Sequence, residues 1–276
     1  MHYPVIDPVI LSLGVGGLAL RWYGLMYLLG FAVVYLLGNY RAKRLPGGWD
    51  TQQVSDLVFF GALGAVLGGR VGYVLFYNFD VFLADPLYLF RMWEGGMSFH
   101  GGLIGVALAM LLLARKYQRS WIQVADFLAP LCPIGIGLGR MGNFINMELP
   151  GRVTESGFGL IYQCWAVRNV THTCTGEWEA VARHPSPLYQ ALAEGVVLFA
   201  LVWLLSSRPR AAGFVSGAFL TGYGCMRLLT ENFREPDSHI GFLAWDWLTM
   251  GQLLSLPMVI AGILLLVWSR GQKVAS

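Results

Sequence analysis

The sequence predicts an all-α, polytopic membrane protein of seven transmembrane helices, with the N-terminus outside and the C-terminus cytoplasmic. Three observations carry this. Apolar residues make up 56% of the 276-residue chain and charged residues only 13%, with mean hydropathy +0.56. A soluble domain carries about 25% charge, so half of that leaves too little polar surface to coat a globule. Seven stretches, near 20–40, 54–77, 98–114, 121–146, 187–206, 213–233 and 249–269, are apolar over the roughly 20 residues that cross hydrocarbon. Cations follow every odd-numbered stretch: Arg41, Lys43 and Arg44; Arg115, Lys116 and Arg119; Arg208 and Arg210; Arg270 and Lys273. Short loops rich in Lys and Arg stay in the cytoplasm, which fixes the orientation. The chain 1–276 reads as a single membrane domain.

Met1 to Leu20 carry no Lys or Arg ahead of their apolar part, so no cleavable signal peptide is expected. Span one opens on Trp22-Tyr23-Gly24 and sets Tyr23 and Tyr27 one turn apart, as an interfacial aromatic belt or as hydroxyls facing a site. In span two Gly64, Gly68 and Gly72 recur every four residues, the spacing that lets helices approach closely. Arg70, Tyr73 and Tyr77 share one face of that span. Arg70 sits in the body of the segment, so it either snorkels to an interface or faces a cavity. Span three opens on Met97-Ser98-Phe99-His100-Gly101-Gly102. Paired glycines flank His100, the side chain suited to taking a proton near neutral pH; a hydrogen-bonded structural role is the alternative.

Span four ends in the densest polar stretch, Gly139 to Arg152, with Arg140, Asn143, Asn146, Glu148 and Arg152. If the helix continued to Gly151, 100° per residue would place Arg140, Asn143 and Gly151 on one face, with Glu148 at its edge. A cation, an amide and bare backbone together suit an anionic headgroup. An Arg–Glu pair fastening helix to loop is compatible with that. Residues 151–187, between spans four and five, form a small outward cap holding Cys164 and Cys174, which pair only in an oxidising compartment. Cys132 and Cys225 read as buried hydrophobes. Span six carries Arg227, Glu231 and Arg234 at i, i+4 and i+7, one face again.

These patterns exclude several functions. No basic stripe marks nucleic-acid binding. No CxxC or Cys/His spacing marks a metal site, and no cofactor is expected. No repeat-to-repeat similarity marks a transporter built from repeats. A cation pathway wants acidic rings, whereas intramembrane arginines suit an anion, most simply a phospholipid phosphate. A phospholipid transporter and a binding scaffold without chemistry stay open at this level.

At these residues the sequence resembles the prolipoprotein diacylglyceryl transferase family. The family signature GRxGNFINxExxGR is complete at Gly139 to Arg152. Matching blocks include Arg21 to Tyr27, Gly68 to Asn78, Gly95 to Gly102, Arg183-His184-Pro185-Ser186 and Arg227 to Arg234. Met147 and Pro150 fill variable signature positions, and the cap 153–182 matches least. The resemblance implies seven spans in the bacterial inner membrane, a periplasmic cap, and two partners: phosphatidylglycerol and the lipobox cysteine of a preprolipoprotein signal peptide. The implied reaction moves the diacylglyceryl group to that thiol and releases glycerol phosphate. It implies that Tyr23, His100, Arg140, Asn143, Gly151 and Arg227 are essential or important, with Glu148 and Glu231 in support.

A chemical expectation follows. A free thiol has pKa about 8.5, so a base or a cationic environment must help, and His100 is the candidate base. Arg140 and Arg227 meet the charge that grows on the departing phosphate. Asn143, with Asn146 beside it, orients the headgroup, and Gly151 lets backbone approach it. Tyr23 hydrogen-bonds substrate or an arginine. Glu231 holds Arg227, Glu148 holds Arg140 or Arg152, and Arg70 joins the substrate-binding set.

Overall fold

The computed structural model describes residues 1–4, 6–12, 19–44, 47–162, 181–236, 241–244, 247–272 and 274. The chain is predominantly helical: α1 (Trp22–Arg44), α2 (Thr51–Tyr77), α3 (Phe79–Ala84), α4 (Phe99–Lys116), α5 (Trp121–Leu128), α6 (Cys132–Ile145), α7 (Ser186–Gln190), α8 (Leu198–Leu205), α9 (Phe214–Glu231) and α10 (Met250–Ser269). A π-helical segment, Ala191–Val197, joins α7 to α8. A small antiparallel pair, β1 (Val9–Ser12) with β2 (Ala19–Arg21), precedes α1.

Among the described residues five helices are long and apolar enough to cross a membrane: α1, α2, α4, the continuous Ser186–Leu205 and α10; α5 with α6 makes a sixth if that pair is one broken span. The break at Ala129–Leu131 has a chemical cause. Pro130 offers no N–H to the helix ladder and crowds the preceding turn. The stretch expected as span six forms the 18-residue α9, with Arg227 and Glu231 inside it. Apolar side chains such as Leu36, Phe76, Leu112, Leu204 and Leu264 are exposed, an exterior that soluble monomers rarely show. Cys132 and Cys225, expected in the interior, instead sit on outward helix faces. Cys164 and Cys174 lie outside the described residues.

The chain divides into two compact units, Tyr35–Leu128 and Met1–Val34 with Ala129–Val274. In the first, α2 packs along α4 through the glycines read from the sequence. A Cβ at Gly68 would lie 2.9 Å from Gly105 Cα, and one at Gly72 2.8 Å from Gly101 Cα. Asp50 caps α2 by accepting from Gln53 N at 2.8 Å, and Ser98 caps α4 by accepting from Gly101 N at 3.2 Å. Where α2 begins and α4 ends, Asp56 takes Lys116 Nζ at 2.5 Å and the Tyr117 hydroxyl at 2.6 Å.

In the other unit α6 crosses the π segment closely, since a Cβ at Gly137 would lie 3.0 Å from Gly195 Cα. Helices α9 and α10 pack over Gly217 and Gly262 in the same way. Leu198, Val202, Val215 and Ala129 form the core between α8 and α9. The N-terminal Tyr3 inserts against Met147 and Tyr162, its hydroxyl donating to the Phe144 carbonyl. Burial pushes the Tyr3 phenol up to about 12.

Candidate functional site

The polar stretch does not continue as a helix. Helix α6 ends at Ile145, and the chain then turns with Met147 and Leu149 in the left-handed region at φ 54° and 57°. Such non-glycine residues cost of order 1 kcal/mol or more each, and persist where surrounding packing enforces them. Met147 is 2% exposed, wedged against Tyr3. The turn brings Glu148 back beneath α6: its N–H donates to Asn143 O at 2.8 Å. Its carboxylate accepts from Asn143 Nδ2 at 2.7 Å and Asn146 Nδ2 at 3.1 Å. Glu148 therefore holds the two asparagines, not Arg140 or Arg152 as the sequence suggested. The Tyr23 ring packs on Gly142, where a Cβ would come within 2.7 Å of it, and its hydroxyl lies 3.4 Å from that of Tyr27.

Arg140 instead reaches Glu194, in the middle of the π segment. Glu194 is fully buried, and Arg140 Nη2 lies 3.3 Å from its Oε2. On the other carboxylate oxygen, Arg227 Nη1 lies at 3.7 Å and the Thr230 hydroxyl donates at 3.0 Å. One carboxylate thus anchors both arginines. The Gly137–Gly195 crossing makes this possible, because side chains larger than hydrogen there would hold the two backbones apart. Arg227 is tied again by Glu231 at 2.7 Å, and Glu231 in turn accepts from the Thr249 hydroxyl at 2.8 Å. A guanidinium has five donors, so Arg140, with 17% of its side chain exposed, keeps donors for a ligand.

Gly151 departs from expectation in what approaches it. Its N–H donates to His184 O at 2.9 Å, and a Cβ would lie 2.6 Å from the His184 Cβ. The close backbone is the protein's own, from His184 and Phe233, where a headgroup was expected. Arg152 donates Nε to Arg234 O at 3.0 Å and lies over the Phe242 ring. His184 meets the Tyr189 hydroxyl through Nδ1 at 3.3 Å, and burial lowers its pKa, favouring neutral imidazole.

In the unit Tyr35–Leu128, Arg70 is 2% exposed and its guanidinium donates to backbone carbonyls. It donates to Leu89 O at 3.1 Å, Tyr88 O at 2.6 Å and Gly95 O at 2.5 Å. Arg70, placed in the substrate-binding set from the sequence, thus fastens the segment 88–95 to α2. His100, by contrast, is exposed on the first turn of α4, with a ring contact to Phe99 and no side-chain hydrogen bond among the described residues.

The model of one protein family, prolipoprotein diacylglyceryl transferase, matches residues 8–268. A phosphatidylglycerol–prolipoprotein diacylglyceryl transferase of Chromohalobacter salexigens is 53% identical over 274 residues, covering 99% of this chain and 96% of its own. The chain belongs to the prolipoprotein diacylglyceryl transferase family. A transferase of the same designation from Vibrio cholerae is 54% identical over 98% of this chain and 93% of its own. One from Legionella pneumophila is 52% identical over 95% and 97%.

In this transferase, then, Tyr23, Arg140, Asn143, Asn146, Glu148, Arg227 and Glu231 gather in one unit. The reading from sequence missed Glu194, the residue that joins the two arginines. Its signal was present: a lone carboxylate in the apolar run 187–206, where an ionisable group is a functional candidate by default. The π segment that carries it gave no sequence signal, although such bulges are frequent at functional sites.

Proposed function

We propose that this transferase moves the sn-1,2-diacylglyceryl group of phosphatidylglycerol to the lipobox cysteine thiol of a preprolipoprotein. The carbon–oxygen bond to phosphate breaks, a carbon–sulfur bond forms, and glycerol phosphate leaves. The observation that carries the reading is the pairing of Arg140 and Arg227 on buried Glu194, which aims two guanidinium groups from α6 and α9 at one place. Pre-positioned cations suit a phosphate whose charge grows in the transition state, and fixing them beforehand removes reorganisation at the moment of reaction. Asn143, held by Glu148, presents its amide at the same helix end, with the Tyr23 hydroxyl nearby. His100 is the proposed base that accepts the thiol proton. Seven spans, an outside N-terminus, a periplasmic cap at 151–187, one transferase domain and an inner-membrane location complete the proposal.

The test mixes purified protein, phosphatidylglycerol and a lipobox peptide, and weighs the peptide. The expected gain is one diacylglyceryl group, with glycerol phosphate released in equal amount. An unchanged peptide mass refutes the reaction; lipid movement without glycerol phosphate would return the transporter.

A further inference from the structure

Gln190 is the last residue of α7, one step before the π segment. It is 0% exposed, yet neither its amide nitrogen nor its amide oxygen has a partner among the described residues. Buried polar atoms in native folds are nearly always hydrogen-bonded, because an unmade bond leaves the full desolvation penalty standing. An apolar residue would fill such a site without that penalty, so the carboxamide calls for a polar ligand. Its neighbours say where that ligand sits. Glu194 follows four residues later on the same helix face, also fully buried, with Arg140 and Arg227 on its two oxygens. Gln190 thus lies one turn from the carboxylate that aims the phosphate-binding arginines.

We propose that Gln190 is a specificity-determining residue that binds the hydroxyls of the phospholipid's glycerol headgroup. This rests on the proposed function above, which places a phosphodiester at Arg140 and Arg227. A carboxamide both donates and accepts, and a hydroxyl does the same, so one headgroup hydroxyl satisfies either atom and a diol satisfies both. In phosphatidylglycerol the hydroxyls lie a few bonds from the phosphorus, a span that one helical turn matches. Apolar or purely cationic headgroups leave at least one Gln190 atom unmade.

The experiment compares phosphatidylglycerol with phosphatidylmethanol, which keeps the diester and its charge but has no hydroxyl, at matched acyl chains and saturating lipobox peptide. Wild-type full-length enzyme is expected to prefer phosphatidylglycerol in kcat/KM by about tenfold, the scale of one good hydrogen-bonding group in a closed site. In Gln190→Met, of similar length, that preference falls towards unity through loss of rate with phosphatidylglycerol, while the melting temperature is held or raised. Equal use of both lipids by the wild-type enzyme overturns the assignment and needs no variant to fold. So does an unchanged preference in Gln190→Met. A raised KM for peptide with the lipid preference intact would move Gln190 to the peptide site. A lowered melting temperature with the preference intact would make its partner a structural water. Transfer from neither lipid would refute the proposed function itself, a result distinct from transfer from both.

Discussion

Replacing Glu194 with glutamine keeps the shape of the side chain and removes the charge that two arginines share. Arg140 and Arg227 stand 3.3 Å and 3.7 Å from its oxygens. At an effective dielectric near 20, those separations correspond to gross attractions of about 5 and about 4.5 kcal/mol. Desolvation offsets most of this, and cutting one partner from a buried pair typically leaves a net loss of about 3–5 kcal/mol. Arg227 retains Glu231 at 2.7 Å, so the loss falls mainly on Arg140, whose only ion pair among the described residues is with Glu194. Glu194→Gln should therefore unfold several degrees earlier in a detergent thermal melt followed by tryptophan fluorescence. Its transfer rate should drop more than its stability explains, because Arg140 is no longer held in place. Glu231→Gln should be milder, since Arg227 keeps Glu194. A Glu194→Gln enzyme with wild-type melting temperature and near-normal turnover would refute the carboxylate as anchor of the site.

Arg140→Lys should lose nearly as much activity as Arg140→Ala, on the order of a hundredfold or more, because a point charge cannot replace the planar fork; near-normal turnover by the Lys variant sinks the phosphate role. If His100 is the base, His100→Gln should lose rate chiefly at neutral pH and recover as pH rises past the thiol's ordinary pKa of about 8.5; a loss uniform across pH would assign it to positioning. Arg70→Met should lower the melting temperature, leaving the carbonyls of Leu89, Tyr88 and Gly95 without their donor, while KM for phosphatidylglycerol in the folded fraction stays near wild type; a raised KM alone would restore a substrate contact. Gly151→Ala should impair folding, since its Cβ would fall 2.5 Å from the Phe233 carbonyl oxygen; a stable, inactive variant would point back to the headgroup.

Much of the site could be read along the chain because intramembrane charge is costly and rarely accidental. Arg140, Asn143, Glu148, Arg227 and Glu231 stand out in apolar surroundings, and the structure gathers them in one unit. The glycine rows at 64, 68 and 72 gave the α2–α4 packing, where a missing Cβ is all the close approach needs. Partner assignments failed where the chain leaves regular geometry. Extrapolating α6 past Ile145 carried Gly151 onto the Arg140 face, but the left-handed Met147 and Leu149 fold the segment back. The sequence also does not show that the carbonyls of 88, 89 and 95 return to Arg70.

The amino-acid sequence alone determined the solvent, the helical class and the kind of ligand: hydrophobic runs and their rare charges are local properties, and each carries its cost wherever it folds. Which cation meets which anion was decided only by tertiary structure. Arg140, Glu194 and Arg227 lie on three separate helical segments. Their meeting depends on Gly137 crossing Gly195 and on a π turn that rotates Glu194 into place, neither of which the spacing of residues along one helix can express.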